Sequence, residues 1–198
     1  MFSYQKILDF WFDGIASEMP LSNKIPMVKK WFNGGADFDD LIRQRFGILL
    51  TDADKIISQS THSPQERLAK IIVLDQFPRN IYRHTPQMYA FDPPALKLSL
   101  EGLEKSLDQQ LKLVERIFFY MPLMHAEDLA HQERSVKLFE SLFKLSKEHA
   151  PSSVTYFASN LHYAIEHCET VKNFGRFPSR NKILGRESTA EELNFLNK

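Results

Sequence analysis

At 198 residues, with 43% hydrophobic and 12% aromatic side chains, the chain carries enough apolar mass for one substantial core and one domain over 1–198. Lys plus Arg and Asp plus Glu balance at 25 each, so overall charge favours neither nucleic acid nor an anionic membrane nor an acidic partner. The opening MFSYQKILDFWFDG lacks a secretory-signal pattern, no stretch approaches the roughly 18 uncharged apolar residues of a membrane span, and the lone Cys168 cannot close an internal disulfide, which together predict a soluble cytoplasmic protein.

Glycine is scarce at 7, and apolar residues recur mostly at three-to-four spacing, which predicts an all-α fold. A first helix includes Ile7, Leu8, Phe10 and Trp11 and stops near Gly14. After a Pro- and Ser-containing segment, VKKWF precedes Gly34 and Gly35. Phe38, Leu41, Ile42, Arg45 and Leu49 then mark a long amphipathic helix running towards Ile57. SPQE gives the clearest start, with Ser63 as cap, Pro64 at the first helical position and Glu66 returning a hydrogen bond to the cap. The helix it opens is apolar on most sides through Leu74 and belongs in the core. Further helices are predicted over about 93–105, 109–120, 126–148 and 151–172, with a short last one opened by STAE from Ser188. Short links between them imply antiparallel pairs.

Polar residues on apolar faces locate a candidate site. Stepping along the Pro64 helix by threes and fours gives Leu68, Ile71, Ile72, Asp75 and Arg79, so a carboxylate lies on the buried stripe and needs a partner. Arg79 at i+4 is one candidate and an arginine from another segment is a second. Phe77-Pro78 is expected to stop this helix, with Arg79 and Asn80 serving its end. Met121-Pro122 is likewise expected to end a helix just before His125 and Glu127. On the next helix Leu129, Val136 and Phe143 form one row and Gln132 and Phe139 the adjoining one, which carries a glutamine amide onto the core face.

His125 and Glu127 are candidates for a base and its orienter. Glu127 with His131 at i+4 is too small a set to specify a metal, so neither metal nor cofactor is expected. In the last third Val154, Phe157, Ala158, Leu161, Ile165 and Cys168 make a core stripe, with His167 at its edge. Arg176, Arg180 and Arg186 follow Gly175, and guanidinium groups match carboxylates and phosphates.

ILDFWF, LAKIIVLDQFPRNIYR, AFDPPAL, RIFFYMPLMHAEDLAHQERSV and FGRFPSRN, continuing into LGREST, together resemble the bacterial family catalogued as domain of unknown function 924. The resemblance spans nearly the whole chain and implies a fold similar to the tetratricopeptide-like helical stack. It singles out Asp75, Gln76, Arg79, Asn80, His125, Glu127, Gln132, His167, Arg176, Arg180 and Asn181. Members usually have His between Pro and Arg of the last motif, where this chain has Ser179.

Three functional classes stay open. The first is a helical binding protein whose Asp75, Arg79, Asn80, Gln132, Arg176, Arg180 and Asn181 border a pocket for a small anion or peptide carboxylate. The second is a small-molecule hydrolase or transferase using His125 or His167 as general base, Glu127 or Asp75 to orient it, and arginine to stabilise developing negative charge. The third is an ion-pair network that only holds helices together. Convergence of the segments around Pro78, Pro122 and Pro178 discriminates among them, and oligomeric state is left open.

Overall fold

The protein is described by a computed structural model over residues 3–15, 20–22 and 24–197, so the Pro- and Ser-containing segment after the first helix lies partly outside the described residues. Helices α1 (Tyr4–Trp11), α2 (Pro26–Asn33), α3 (Gly35–Thr51), α4 (Ala53–Ser58) and α5 (Pro64–Ile71) lead into a π-helical turn at Ile72–Gln76 and α6 (Phe77–Ile81). Then come α7 (Asp92–Glu104), α8 (Leu113–Met124), α9 (Leu129–His149), α10 (Val154–Phe174), α11 (Asn181–Leu184) and α12 (Ala190–Leu196). Among the described residues there is no strand, so the chain is all-α.

The helix opened by Pro64 is the axis of the molecule, since every residue from Arg67 through Pro78 is buried. Ser63 caps it by accepting from the Glu66 N–H, while the Glu66 carboxylate takes the His62 N–H, one residue earlier than expected. Around it Trp11 meets Phe38, Phe77 and Phe118 at ring-centroid separations of 6.2, 5.7 and 5.5 Å. These stacked, tilted and edge-on aromatic contacts fill the centre with large area and fixed geometry. Two cations on this buried axis reach backbone: Arg67 donates to the Leu98 carbonyl and Lys70 to the Gln59 carbonyl beyond α4. The α9 and α10 helices, joined by a 3-10 turn at Pro151–Ser153, pack along their lengths as a helical hairpin. The Ser153 hydroxyl accepts the Leu21 N–H at 2.8 Å and ties the approach to α2 to the start of α10.

Several expectations are corrected. The helix after Pro64 does not stop at Phe77-Pro78, because the π-helical turn lets the chain pass the proline and continue to Ile81. Nor does Met121-Pro122 end a helix: Pro122 lies inside α8, which runs on to Met124. The helix predicted towards Ile57 is interrupted at Asp52 between α3 and α4. Its buried face is Phe38, Ile42, Phe46 and Leu50, while Arg45 is exposed and Leu41 and Leu49 are half-buried. On α9 the core row is Gln132, Ser135, Phe139 and Leu142, and Leu129 is exposed. On α10 Tyr156, Asn160 and Ala164 join the core face and Ile165 leaves it.

Gly102 on α7 allows a close approach to α8 and α5. A Cβ there would lie 2.5 Å from Phe119 Cζ on α8 and 2.7 Å from Arg67 Cδ on α5. Gly102→Ala is therefore expected to lower stability by about 1–3 kcal/mol, the range for overpacking a filled core, as read by urea denaturation. Unchanged stability would mean these helices sit further apart.

Candidate functional site

The site begins with backbone chemistry. Pro78 has no N–H, and in a regular helix its ring would strike the carbonyl one turn back. Over Ile72–Gln76 the chain widens instead, and the Phe77 N–H reaches the Ile72 carbonyl five residues back. Side chains from the following turn then serve the carbonyls at this bulge. Arg79 Nη1 donates to the Asp75 carbonyl at 2.5 Å, and Asn80 Nδ2 to the Gln76 carbonyl at 2.9 Å. DQFPRN is thus one unit: the proline demands the wide turn, and the Arg-Asn pair satisfies its backbone.

The turn rotates Asp75 into the interior with none of its surface exposed. Its carboxylate accepts from Gln76 Nε2 at 2.5 Å and His125 Nδ1 at 2.7 Å, and lies 3.4 Å from Arg79 Nη1. Arg79 also forks onto Asp92 at 2.8 and 3.0 Å. Arg180 lies 3.6 Å from Asp92, donates to the His125 carbonyl at 2.8 Å, and stacks its guanidinium over Tyr89 and Phe177. The segments around Pro78, Pro122 and Pro178 therefore do meet.

Burial by itself raises the Asp75 pKa, but the Arg79 charge beside it, with the bonds from His125 and Gln76, outweighs burial and holds the carboxyl ionised. Burial and Arg79 push His125 the other way, below the ordinary histidine value, against the opposing pull of Asp75. A neutral imidazole facing an acceptor-only carboxylate must carry its proton on Nδ1. The lone pair then sits on Nε2, which makes no hydrogen bond among the described residues.

His125 lines a cavity of about 520 Å³ bounded by α2, the turn around Gln76, α6, the end of α8, and α10. Gln76, Arg79, Asn80 and Arg83 form one wall, and Tyr156, Asn160, Tyr163 and His167 another. Trp31, Phe32, Met121 and Met124 supply apolar surface. His167 repeats the arrangement of His125: its Nδ1 lies 2.8 Å from the Tyr163 carbonyl, which only accepts, so Nε2 again keeps the lone pair. Burial, then the neighbouring His125 and Arg180, hold its pKa at about 4. The described lining carries the cations Lys29, Arg79 and Arg83 and no carboxylate. Asp39, which takes the Arg83 fork at 2.7 and 2.8 Å, lies behind the wall, as Asp75 does.

A second cluster is internally paired. Glu127 accepts both arms of Arg186, at 2.6 and 2.8 Å, and the Phe177 N–H at 2.8 Å, so it is not the orienter of His125. That position belongs to Asp75. Arg176 forks onto Glu192 at 2.6 and 2.8 Å, and Asn181 joins Ser188, Glu192 and Arg186. Gln132 Nε2 donates to the Met124 and Ala126 carbonyls at 2.6 and 2.7 Å, shaping the turn that carries His125. Of the residues anticipated from sequence, Gln76, Arg79, Asn80, His125 and His167 line the cavity. Asp75, Arg180 and Gln132 support them from behind, and Glu127, Arg176 and Asn181 belong to the second cluster. Arg83, Tyr156 and Asn160 were not anticipated. Arg83 follows Arg79 by one turn, and Tyr156, Asn160, Tyr163 and His167 share one face of α10, so the helical spacing was there to be read.

A family model described as bacterial protein of unknown function (DUF924) matches residues 7–198. The chain belongs to this family. A solved structure, that of the protein of unknown function ATU0120 from Agrobacterium tumefaciens, is 36% identical, covering 98% of this chain and 96% of that one with a TM-score of 0.78. No curated protein matches the chain. Membership gives the DUF924 protein a fold and a kinship, and leaves its chemistry to the geometry above.

The depressed His167 value has a sign that can be measured. An unfolded histidine takes its proton near pH 6.5, which the folded one refuses until about 4, so stability is lost as pH falls across that window. An NMR titration should place the His167 midpoint near 4, and His167→Gln should lose less stability than wild type between neutral and mildly acid pH. A midpoint at the ordinary histidine value would contradict its half-buried placement beside His125 and Arg180.

Proposed function

We propose that this DUF924 protein binds a small organic anion, or the carboxylate of a short peptide, in the cavity beside His125. The observation that carries the reading is the distribution of charge across the wall: Lys29, Arg79 and Arg83 line it, no described lining residue is acidic, and the counter-ions of the two arginines lie outside the lining, Asp75 and Asp39 buried and Asp92 half-buried. Guanidinium and ammonium donors on a restricted, part-apolar surface favour a carboxylate with an apolar body. The contiguous core from Ile7 to Ala164 supports treating the chain as one domain. The α9–α10 hairpin beside the cavity is consistent with the tetratricopeptide-like stack that the family resemblance implies. A single buried cysteine and no described helix able to cross a membrane support a cytoplasmic setting.

The Asp75–His125 pair favours a second reading, turnover of the bound anion. A carboxylate that fixes the Nδ1–H tautomer leaves Nε2 as an acid–base group facing the cavity, and such a group contributes about 10²–10⁴-fold to proton-transfer steps. In this reading Asp75, of the two candidates, is the orienting acid.

Thermal-shift and calorimetric titration with acetate, benzoate and inorganic phosphate tests the proposal. Benzoate is expected to stabilise the protein by mass action, and Arg83→Ala, at the exposed edge of the wall, to weaken its binding about tenfold. No stabilisation by any of these anions, or equal affinity in the variant, would overturn the anion reading. Ester hydrolysis that His125→Ala abolishes while benzoate still binds would establish the second.

A further inference from the structure

We infer that Gln76 and His125 form an acceptor pair in the cavity wall, and that the ligand is an organic acid carrying an uncharged hydrogen-bond donor, a hydroxyl or an amide N–H, in addition to its carboxylate. This rests on the anion-binding reading above and adds the chemical class of the ligand. The first observation is a shared anchor. Asp75 Oδ2 accepts from Gln76 Nε2 at 2.5 Å and Asp75 Oδ1 from His125 Nδ1 at 2.7 Å, so one carboxylate holds two lining side chains beside each other. An ionised carboxylate only accepts, which turns the amide nitrogen and the Nδ1 proton towards Asp75 and leaves Gln76 Oε1 and His125 Nε2 as the unbound ends. Gln76 Nε2 has Met121 Sδ as its second acceptor at 3.3 Å, so both protons of the amide are engaged.

The second observation is what these two ends border. Neither Gln76 Oε1 nor His125 Nε2 makes a hydrogen bond among the described residues. Neither is closed off either: the side-chain atoms that are both unpartnered and shut away from solvent belong to Trp11, Arg67, Gln132, Ser135 and Tyr156. Gln76 and His125 both line the cavity, so the open space that their acceptors border is the cavity.

The third is repetition. On α10 His167 spends its Nδ1 proton on the Tyr163 carbonyl at 2.8 Å and Ser159 its hydroxyl proton on the Thr155 carbonyl at 3.0 Å, so there too the donor goes to backbone and an acceptor is left. These neutral lining groups call for donors, while Lys29, Arg79 and Arg83 call for an anion. A plain carboxylate serves only the cations; an acid with an O–H or N–H serves both sets. Charge selects the kind of donor. Burial first, and then Arg79, keeps a proton off His125 against the pull of Asp75, and burial, His125 and Arg180 do the same at His167. The same surroundings oppose an ammonium group beside these rings and admit a neutral hydroxyl or amide.

Calorimetry on the whole chain tests this with meta and para (hydroxymethyl)benzoates against their methoxybenzoate isomers, which hold the same atoms but no donor, and against the matching (aminomethyl)benzoates. The hydroxymethyl compound is expected to bind about tenfold tighter than the methoxy isomer at one of the two ring positions, and tighter than the aminomethyl compound. His125→Asn keeps an amide donor for Asp75 but removes Nε2, and should bring the hydroxymethyl-to-methoxy affinity ratio close to unity. Should that variant fail to fold, nitrogen-15 NMR of the wild type reads the same contact: the His125 Nε2 resonance should move upfield with the hydroxymethyl compound and not with its methoxy isomer. No advantage of hydroxymethyl over methoxy at either position, an advantage that survives His125→Asn, an unmoved Nε2 resonance, or tighter binding of the aminomethyl compound would each overturn the inference. If benzoate binds and Arg83→Ala weakens it, the anion cavity stands and only the acceptor pair falls. If none of these acids binds, both fall.

Discussion

A single buried carboxylate organises this molecule. Asp75 has no exposed surface, yet it stays ionised because Arg79, His125 and Gln76 surround it with positive charge and donors. Such a group is costly to bury unless every oxygen is served. Serving it requires three distant parts of the chain to meet: the turn before Pro78, the end of α8 and, through Arg180, the segment after α10. The Pro78 turn is the means. A proline in a buried helix forces either a stop or a wide turn, and the wide turn aims the carboxylate sideways while the helix continues.

Charge then runs outward in alternation. Asp75 faces Arg79, Arg79 faces Asp92, and Arg180 borders Asp92 while holding the His125 carbonyl. Because Arg79 and burial together outweigh the pull of Asp75, His125 remains neutral, and its proton is fixed on Nδ1. The result is a neutral imidazole in the lining of a cavity that holds cationic, polar and apolar side chains and, among its described lining, no carboxylate. Glu127, Arg186, Arg176 and Glu192 make a separate lock that secures the C-terminal segment, so the two sets of acids and arginines divide between presenting a surface and closing the fold.

Much of this was legible in the sequence, and the gaps have physical causes. Ser63-Pro64 and Glu66 marked the start of α5 because caps are local chemistry. Asp75 stood out because a carboxylate broke an aliphatic stripe. The wide turn did not, since single-residue rules assign Pro78 and Pro122 to helix ends, and only tertiary packing decides that both helices continue. Glu127 and Asp75 both stood open as the acid orienting His125, Glu127 because it is two residues away. The true partner is fifty residues away, and proximity in sequence carried no information about it. The polar face of α10 was concealed among aromatics that serve core and cavity at once, with Tyr156 and Phe157 buried beside exposed Tyr163.

The account stands on the protonation of one ring. Nitrogen-15 NMR of the His125 imidazole at neutral pH reads it directly: Nδ1 is expected to bear the proton and Nε2 to show the signature of a free lone pair, and Asp75→Asn to abolish that preference. A proton on Nε2, or a fully charged ring at neutral pH, would contradict it.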